Sequence, residues 1–87
     1  MIYDQTNISE NEFIRFFSHD IDSKELVWHR DKETRLVEVL ENTDWKFQMD
    51  NKLPITLSKG VKFKIPKGTF HRVIKGSDSL KIRIKEI

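Results

Sequence analysis

The chain has 87 residues, with 16 basic and 14 acidic side chains for a formal net charge of +2, and no cysteine. That length makes one small domain. The missing cysteines exclude disulfides, zinc fingers, iron–sulfur clusters and thiol nucleophiles, and no apolar run nears the roughly 18–20 residues of a membrane span.

Residues 1–7 show neither a basic region nor a long apolar stretch, so no secretory signal is read and a cytoplasmic location is expected. Ser9 and Glu12 then stand at capping-box spacing. Ile8 and Phe13 are placed for a hydrophobic staple, and Phe13, Ile14 and Phe17 form one apolar stripe that Phe16 widens. These features predict a short helix over about residues 9–19, inside an N-terminal segment 1–23. His19 would sit exposed at its C-terminal end.

From residue 24 the apolar period becomes two. Leu26–Trp28 and Leu36–Leu40 are β-rich runs. Trp45, Phe47 and Met49 alternate with Lys46 and Gln48; Val61, Phe63 and Ile65 alternate with Lys62 and Lys64; Leu80, Ile82 and Ile84 alternate with Lys81, Arg83 and Lys85. Turn residues cluster at 31–34, 42–44, 50–52, 58–60, 66–68 and 76–79. About seven strands at such spacing predict an antiparallel sandwich or barrel over residues 24–87, with the one helix before it. Leu, Ile, Val and Phe supply 27 residues, enough for a modest core.

Charge is uneven: residues 1–60 carry net −4 and residues 61–87 net +6. A basic end invites a nucleic-acid reading. Lysines that fill solvent faces and blunt sheet edges explain it more simply, so nucleic acid is not the expected partner. No glycine-rich phosphate loop, serine elbow or placed carboxylate pair is present, and no catalytic residue is assigned.

The segment from Gly60 to Lys75 is more specific. Gly60, Pro66, Gly68 and His71 match G-x5-P-x-G-x2-H, which resembles the second conserved motif of the cupins, with Lys75 in place of the final Asn. Its physics is local. Gly60 supplies a positive-φ turn, Pro66 ends a strand, Gly68 completes the reversal, and His71 lies on the returning strand. Alternation puts His71 and Val73 on one face and Phe70, Arg72 and Ile74 on the other, without deciding which face is inside. The resemblance implies a jelly-roll β-barrel with His71 turned inward to a metal. It also implies pairing of small barrels, so a homodimer is expected. It extends over about residues 25–85.

The first cupin motif is degraded. Residues 39–42 resemble its usual end, with Asn42 for Gly. Counting back puts His29 and Asp31 at the two His positions, Arg35 at the metal-binding Glu and Ser23 at the opening Gly. An alignment through Glu33 breaks the spacing to Leu40. His29, Asp31 and His71 still have the composition of a two-His, one-carboxylate site for Fe, Mn, Zn or Ni. Residues two apart on a strand share a face, and three protein ligands leave positions open for a chelating molecule. Arg83 follows His71 by twelve, where an arginine of 2-oxoglutarate-type iron oxygenases would hold a co-substrate carboxylate. Against a metal, Arg35 repels a dication and can pair with Asp31 or Glu33, or bind an anion itself.

Two readings follow. In one, the barrel mouth takes a metal or a small polar or anionic molecule. His29, Asp31 and His71 are then ligands, Arg35 and Arg83 anchors, and Trp28 and Trp45 apolar walls. In the other, a non-enzymatic jelly-roll module has lost its metal site, and Lys81, Arg83 and Lys85 face an acidic partner.

Overall fold

Alternating apolar residues build the chain into two antiparallel sheets. The structure, a computed structural model, describes residues 2–87. Eight strands are formed: β1 Asp4–Asn7, β2 Glu12–Phe17, β3 Arg35–Val39, β4 Lys46–Met49, β5 Ile55–Thr56, β6 Lys62–Ile65, β7 His71–Ile74 and β8 Leu80–Glu86. One sheet has the order β1-β2-β8-β3-β6 and the other β5-β4-β7, the two-sheet arrangement of a jelly roll. Among the described residues no helix is long and apolar enough to cross a membrane.

β8 is the spine of the larger sheet, paired with β2 on one side and β3 on the other. Its alternation divides core from solvent. Leu80, Ile82 and Ile84 are buried, while Lys81, Arg83 and Lys85 lie on the opposite face. Phe13, Phe17, Val37, Val39, Trp45 and Phe47 complete most of the core between the sheets.

The predicted helix at 9–19 is not formed. The segment is the β1–β2 hairpin, so residues before 24 belong to the barrel instead of preceding it. Positions i and i+4 share a face in a helix and in a strand alike, so Phe13 and Phe17 could not distinguish the two. Phe16 does: it is exposed, as a strand requires, instead of widening an apolar stripe. Ile8 is exposed as well, so there is no staple. At the turn, the Ile8 and Ser9 amides both donate to the Glu12 carbonyl, at 2.8 and 3.1 Å. A lone helix of this length is marginal in water. Pairing with β8, in which Phe13 opposes Ile84 and Phe17 opposes Leu80, buries the same side chains more completely. His19 is exposed but caps nothing; its Nε2 lies 3.0 Å from Asp20 Oδ1.

Leu26–Trp28 is not a strand either. A single 3₁₀ turn at Ser23–Glu25, capped by the Asp22 carboxylate accepting from the Lys24 amide at 2.9 Å, leads into an irregular run. Lys75 Nζ donates to the Ile21 carbonyl at 2.7 Å and fastens that run to the end of β7. Gly60 and Gly68 adopt φ of 87° and 76°, as the two turns demand.

Candidate metal centre and ligand cavity

The site is assembled by backbone pairing. His29 and His71 exchange both of their main-chain hydrogen bonds, at 3.0 and 2.8 Å, in an antiparallel bridge. Directly opposed residues put their side chains on one face, and the two imidazole centroids are 4.3 Å apart. Asp31 is two residues beyond His29, with its carbonyl held by the Gly68 amide at 2.8 Å. Its side chain turns toward the two imidazoles, although no strand spans residues 29–31. One ligand atom from each of His29, Asp31 and His71 lies within 4.8 Å of the others, a group that can hold a metal ion. Parity on β7 is settled as well: His71 is buried and both it and Val73 line the interior cavity. The reversal through Pro66 and Gly68 thus aims the His71 imidazole inward.

Hydrogen bonding fixes what these rings present. His71 Nδ1 is 2.8 Å from the Thr69 carbonyl, and His29 Nδ1 is 3.1 Å from the Val27 carbonyl. A carbonyl only accepts, so each Nδ1 carries a proton, and a neutral ring in this tautomer has its lone pair on Nε2. Donation of the other ring nitrogen to a carbonyl is the usual support of a metal-binding imidazole. Burial holds the His71 pKa below the ordinary imidazole value, with His29 and Arg35 lowering it further against the opposing effects of the Thr69 carbonyl and Asp31. The ring is therefore neutral, and its Nε2 faces Asp31 Oδ2 at 3.3 Å, acceptor against acceptor. That Oδ2 is buried and has no hydrogen-bond partner. Arg35 Nη1 lies 3.2 Å from it, near enough for charge attraction but without hydrogen-bond geometry. Two imidazoles and a carboxylate with an open, buried lone pair fit a divalent transition metal.

Arg35 is drawn mainly to the end of β8, where its register partner is Glu86. Nε and Nη2 both donate to Glu86 Oε2, at 3.1 and 2.8 Å. Arg35 thus pairs with Asp31, as expected, but takes Glu86 and not Glu33 as its second carboxylate.

The three ligand-atom residues and Arg35 open onto a cavity of about 330 Å³, whose walls include Phe17, Phe47, Phe63 and Ile82. The other anchors and walls expected from sequence are elsewhere. Arg83 is on the outer sheet face, 3.3 Å from Glu12 Oε2, because its odd position on β8 alternates away from Ile82 and Ile84. Trp45 is fully buried in the core, packed on Phe17 with a centroid distance of 5.6 Å, and its Nε1 donates to the Asp78 carbonyl. Trp28 is exposed beneath the Arg72 guanidinium, 4.8 Å from its ring. Among the polar residues of the cavity, Tyr3, Arg15 and Glu25 were missed, as was Glu86, which acts through Arg35. Arg15 alternates with Phe13 and Phe17, a period-two signal that the helix reading concealed.

No protein-family model matches the sequence, and no curated protein matches it. Solved structures match it in fold. A cupin 2 conserved barrel domain protein from Leptotrichia buccalis is 23% identical with a TM-score of 0.74, over 99% of this chain and 40% of that one. The DMSP lyase DddQ from Ruegeria pomeroyi DSS-3 is 14% identical with a TM-score of 0.75, over 90% and 39%. An RmlC-like cupin family protein with a double-stranded β-helix fold from Methanocaldococcus jannaschii is 12% identical with a TM-score of 0.69, over 98% and 78%. The chain spans about two fifths of the first two proteins. At these identities the likeness is one of fold: the chain has the cupin double-stranded β-helix.

Proposed function

We propose that the protein binds a divalent transition metal through His29, Asp31 and His71, and holds a small polar or anionic organic molecule beside it in the cavity. The observation that carries this reading is the buried Asp31 Oδ2, without a hydrogen-bond partner and facing the bare His71 Nε2 at 3.3 Å. Two lone pairs in that position repel unless a cation lies between them, and burial opposes a proton on His71. Fe, Mn, Zn and Ni all suit this donor set. A bound metal supplies Lewis acidity toward a ligand oxygen. The chain's own part is to orient the imidazoles through the Val27 and Thr69 carbonyls, and to keep water from the apolar walls. A DMSP lyase is among the proteins that share the fold, so this scaffold accommodates enzymes of small organic molecules.

The competing reading, a barrel module without a metal, draws on Arg35, which already places a positive charge against Asp31. Metal titration separates the two. Protein prepared without chelators and titrated with Mn²⁺, Fe²⁺ or Zn²⁺ in a calorimeter should take up about one equivalent, and His71→Ala should weaken binding by at least about tenfold. Uptake below about a tenth of an equivalent for every metal refutes the proposal in favour of the module.

A further inference from the structure

Arg15 is a further polar feature of the cavity, within Coulomb range of Asp31 and Glu86 but in ion-pair contact with neither. It lies on the inward face of β2 between Phe13 and Phe17, opposite Gln5 on β1 and Ile82 on β8, and lines the cavity. Its guanidinium lies 4.1 Å from the centre of the Tyr3 ring and 4.9 Å from that of Phe13. Nε donates to Gln5 Oε1 at 3.0 Å. No acidic side chain pairs with it among the described residues, whereas Arg35, the other guanidinium of the cavity, is engaged by Asp31 and Glu86. Among the described residues neither Nη group of Arg15 donates a hydrogen bond; its one side-chain bond is that of Nε to Gln5.

A half-buried cation on aromatic walls is costly unless an anion completes it. Burial lowers the Arg15 pKa, but a guanidinium stays charged throughout the physiological range. The Gln5 bond and the Tyr3 ring fix the plane of the fork before any ligand arrives, which limits the ordering cost of binding. The two free Nη groups match the two oxygens of a carboxylate. Among the described residues one cavity guanidinium is without an ion pair, and the lining already carries the Glu25 and Asp31 carboxylates, so a monoanion is matched while the second charge of a phosphate has no partner. A cavity of about 330 Å³ corresponds to some eleven water volumes at about 30 Å³ each, room for a ligand of roughly ten non-hydrogen atoms.

We infer that Arg15 is the anion anchor of the cavity and binds the carboxylate of a small, largely apolar organic acid. This rests on the reading of the cavity as a ligand site, but not on the metal. The test is calorimetry with benzoate, benzamide and phenyl phosphate on chelator-treated and Mn²⁺-loaded full-length protein. Benzoate should bind at least about tenfold more tightly than either of the others, with or without Mn²⁺. Arg15→Gln should abolish that preference and leave Mn²⁺ affinity within about threefold of wild type. Arg15→Lys keeps the charge and loses the fork, so it should weaken benzoate by at least about threefold. Equal affinities for benzoate and benzamide in the wild type, or undiminished benzoate affinity in the Lys variant, overturn the inference even if Arg15→Gln does not fold. Loss of Mn²⁺ binding in His71→Ala reads the metal centre separately.

Discussion

Replacement of Arg35 by Gln tests the electrostatics of the site directly. In the wild type one guanidinium serves two carboxylates, Glu86 at 2.8 Å and Asp31 at 3.2 Å. The three side chains are 12%, 23% and 15% exposed in the order Arg35, Glu86, Asp31, so water screens them only partly. Arg35→Gln keeps a polar side chain but leaves two neighbouring anions without a counter-charge. Removing one partner of a buried pair typically costs 3–5 kcal/mol, and the partial exposure here argues for the lower end, about 3 kcal/mol. At about 4–8 °C per kcal/mol for a domain of this size, the melting temperature should fall by about 12–24 °C. Mn²⁺ should then stabilise the variant more than the wild type, because it replaces the missing positive charge and no guanidinium competes for Asp31. At a hundredfold excess over its dissociation constant the recovery approaches about 2.7 kcal/mol. Thermal denaturation followed by circular dichroism, with and without Mn²⁺, measures both quantities. A variant that melts within about 3 °C of wild type and gains nothing from Mn²⁺ would refute the assignment of Arg35 as the counter-charge of this centre.

Two further perturbations probe the scaffold. Asp44 accepts hydrogen bonds from Ser77 Oγ at 2.5 Å, from the Ser77 amide at 2.9 Å and from the Asp78 amide at 3.1 Å. The Ser77 hydroxyl, followed by these amides, holds its carboxyl well below the ordinary value of 3.8. The unfolded chain therefore takes up this proton more readily than the folded one. The stability that Asp44 supplies is complete above the ordinary value and drains away as the pH falls below it. Asp44→Asn should lower the melting temperature near neutrality and flatten its decline between about pH 4 and pH 2; equal slopes for the two proteins would contradict the stabilising role of the Ser77 and Asp78 hydrogen bonds to Asp44. Trp45→Phe removes the Nε1 donor to the Asp78 carbonyl and part of the packing on Phe17. We expect a loss of about 2 kcal/mol in urea unfolding with an unchanged m-value, and a loss below about 0.5 kcal/mol would mean that the indole is not a core anchor.

What was legible in the sequence was what local chemistry decides. Gly60 and Gly68 needed positive φ, Pro66 had to end a strand, and each requirement is met within a few residues. His29 and Asp31 stand two apart, but no strand holds both; the bridge from His29 to His71 and the Gly68 amide on the Asp31 carbonyl, both long-range, bring them to one site. Arg83 shows a local signal that was available and outweighed: the alternation that buries Ile82 and Ile84 already excludes it from the interior. Trp45 alternates inward with Phe47, but alternation gives a face and not a depth. Whether an inward ring meets the cavity or the closed core depends on the strands above and below it.

The hairpin at residues 4–17 marks where sequence stops. Phe13 and Phe17 satisfy helix and strand geometry equally, and pairing with β1 and with β8, the latter nearly seventy residues along the chain, selects the strand. The same long-range pairing puts Arg15 into the cavity and Glu86 against Arg35. Residue order thus set the turns, the alternation and the identity of the candidate ligands, because backbone dihedrals and side-chain period act between near neighbours. Which side of each strand faces inward, which charges meet, and that an acidic oxygen is left buried beside a neutral imidazole were set by assembly of the two sheets. Burial and ion pairing there depend on distances that no local stretch of sequence specifies.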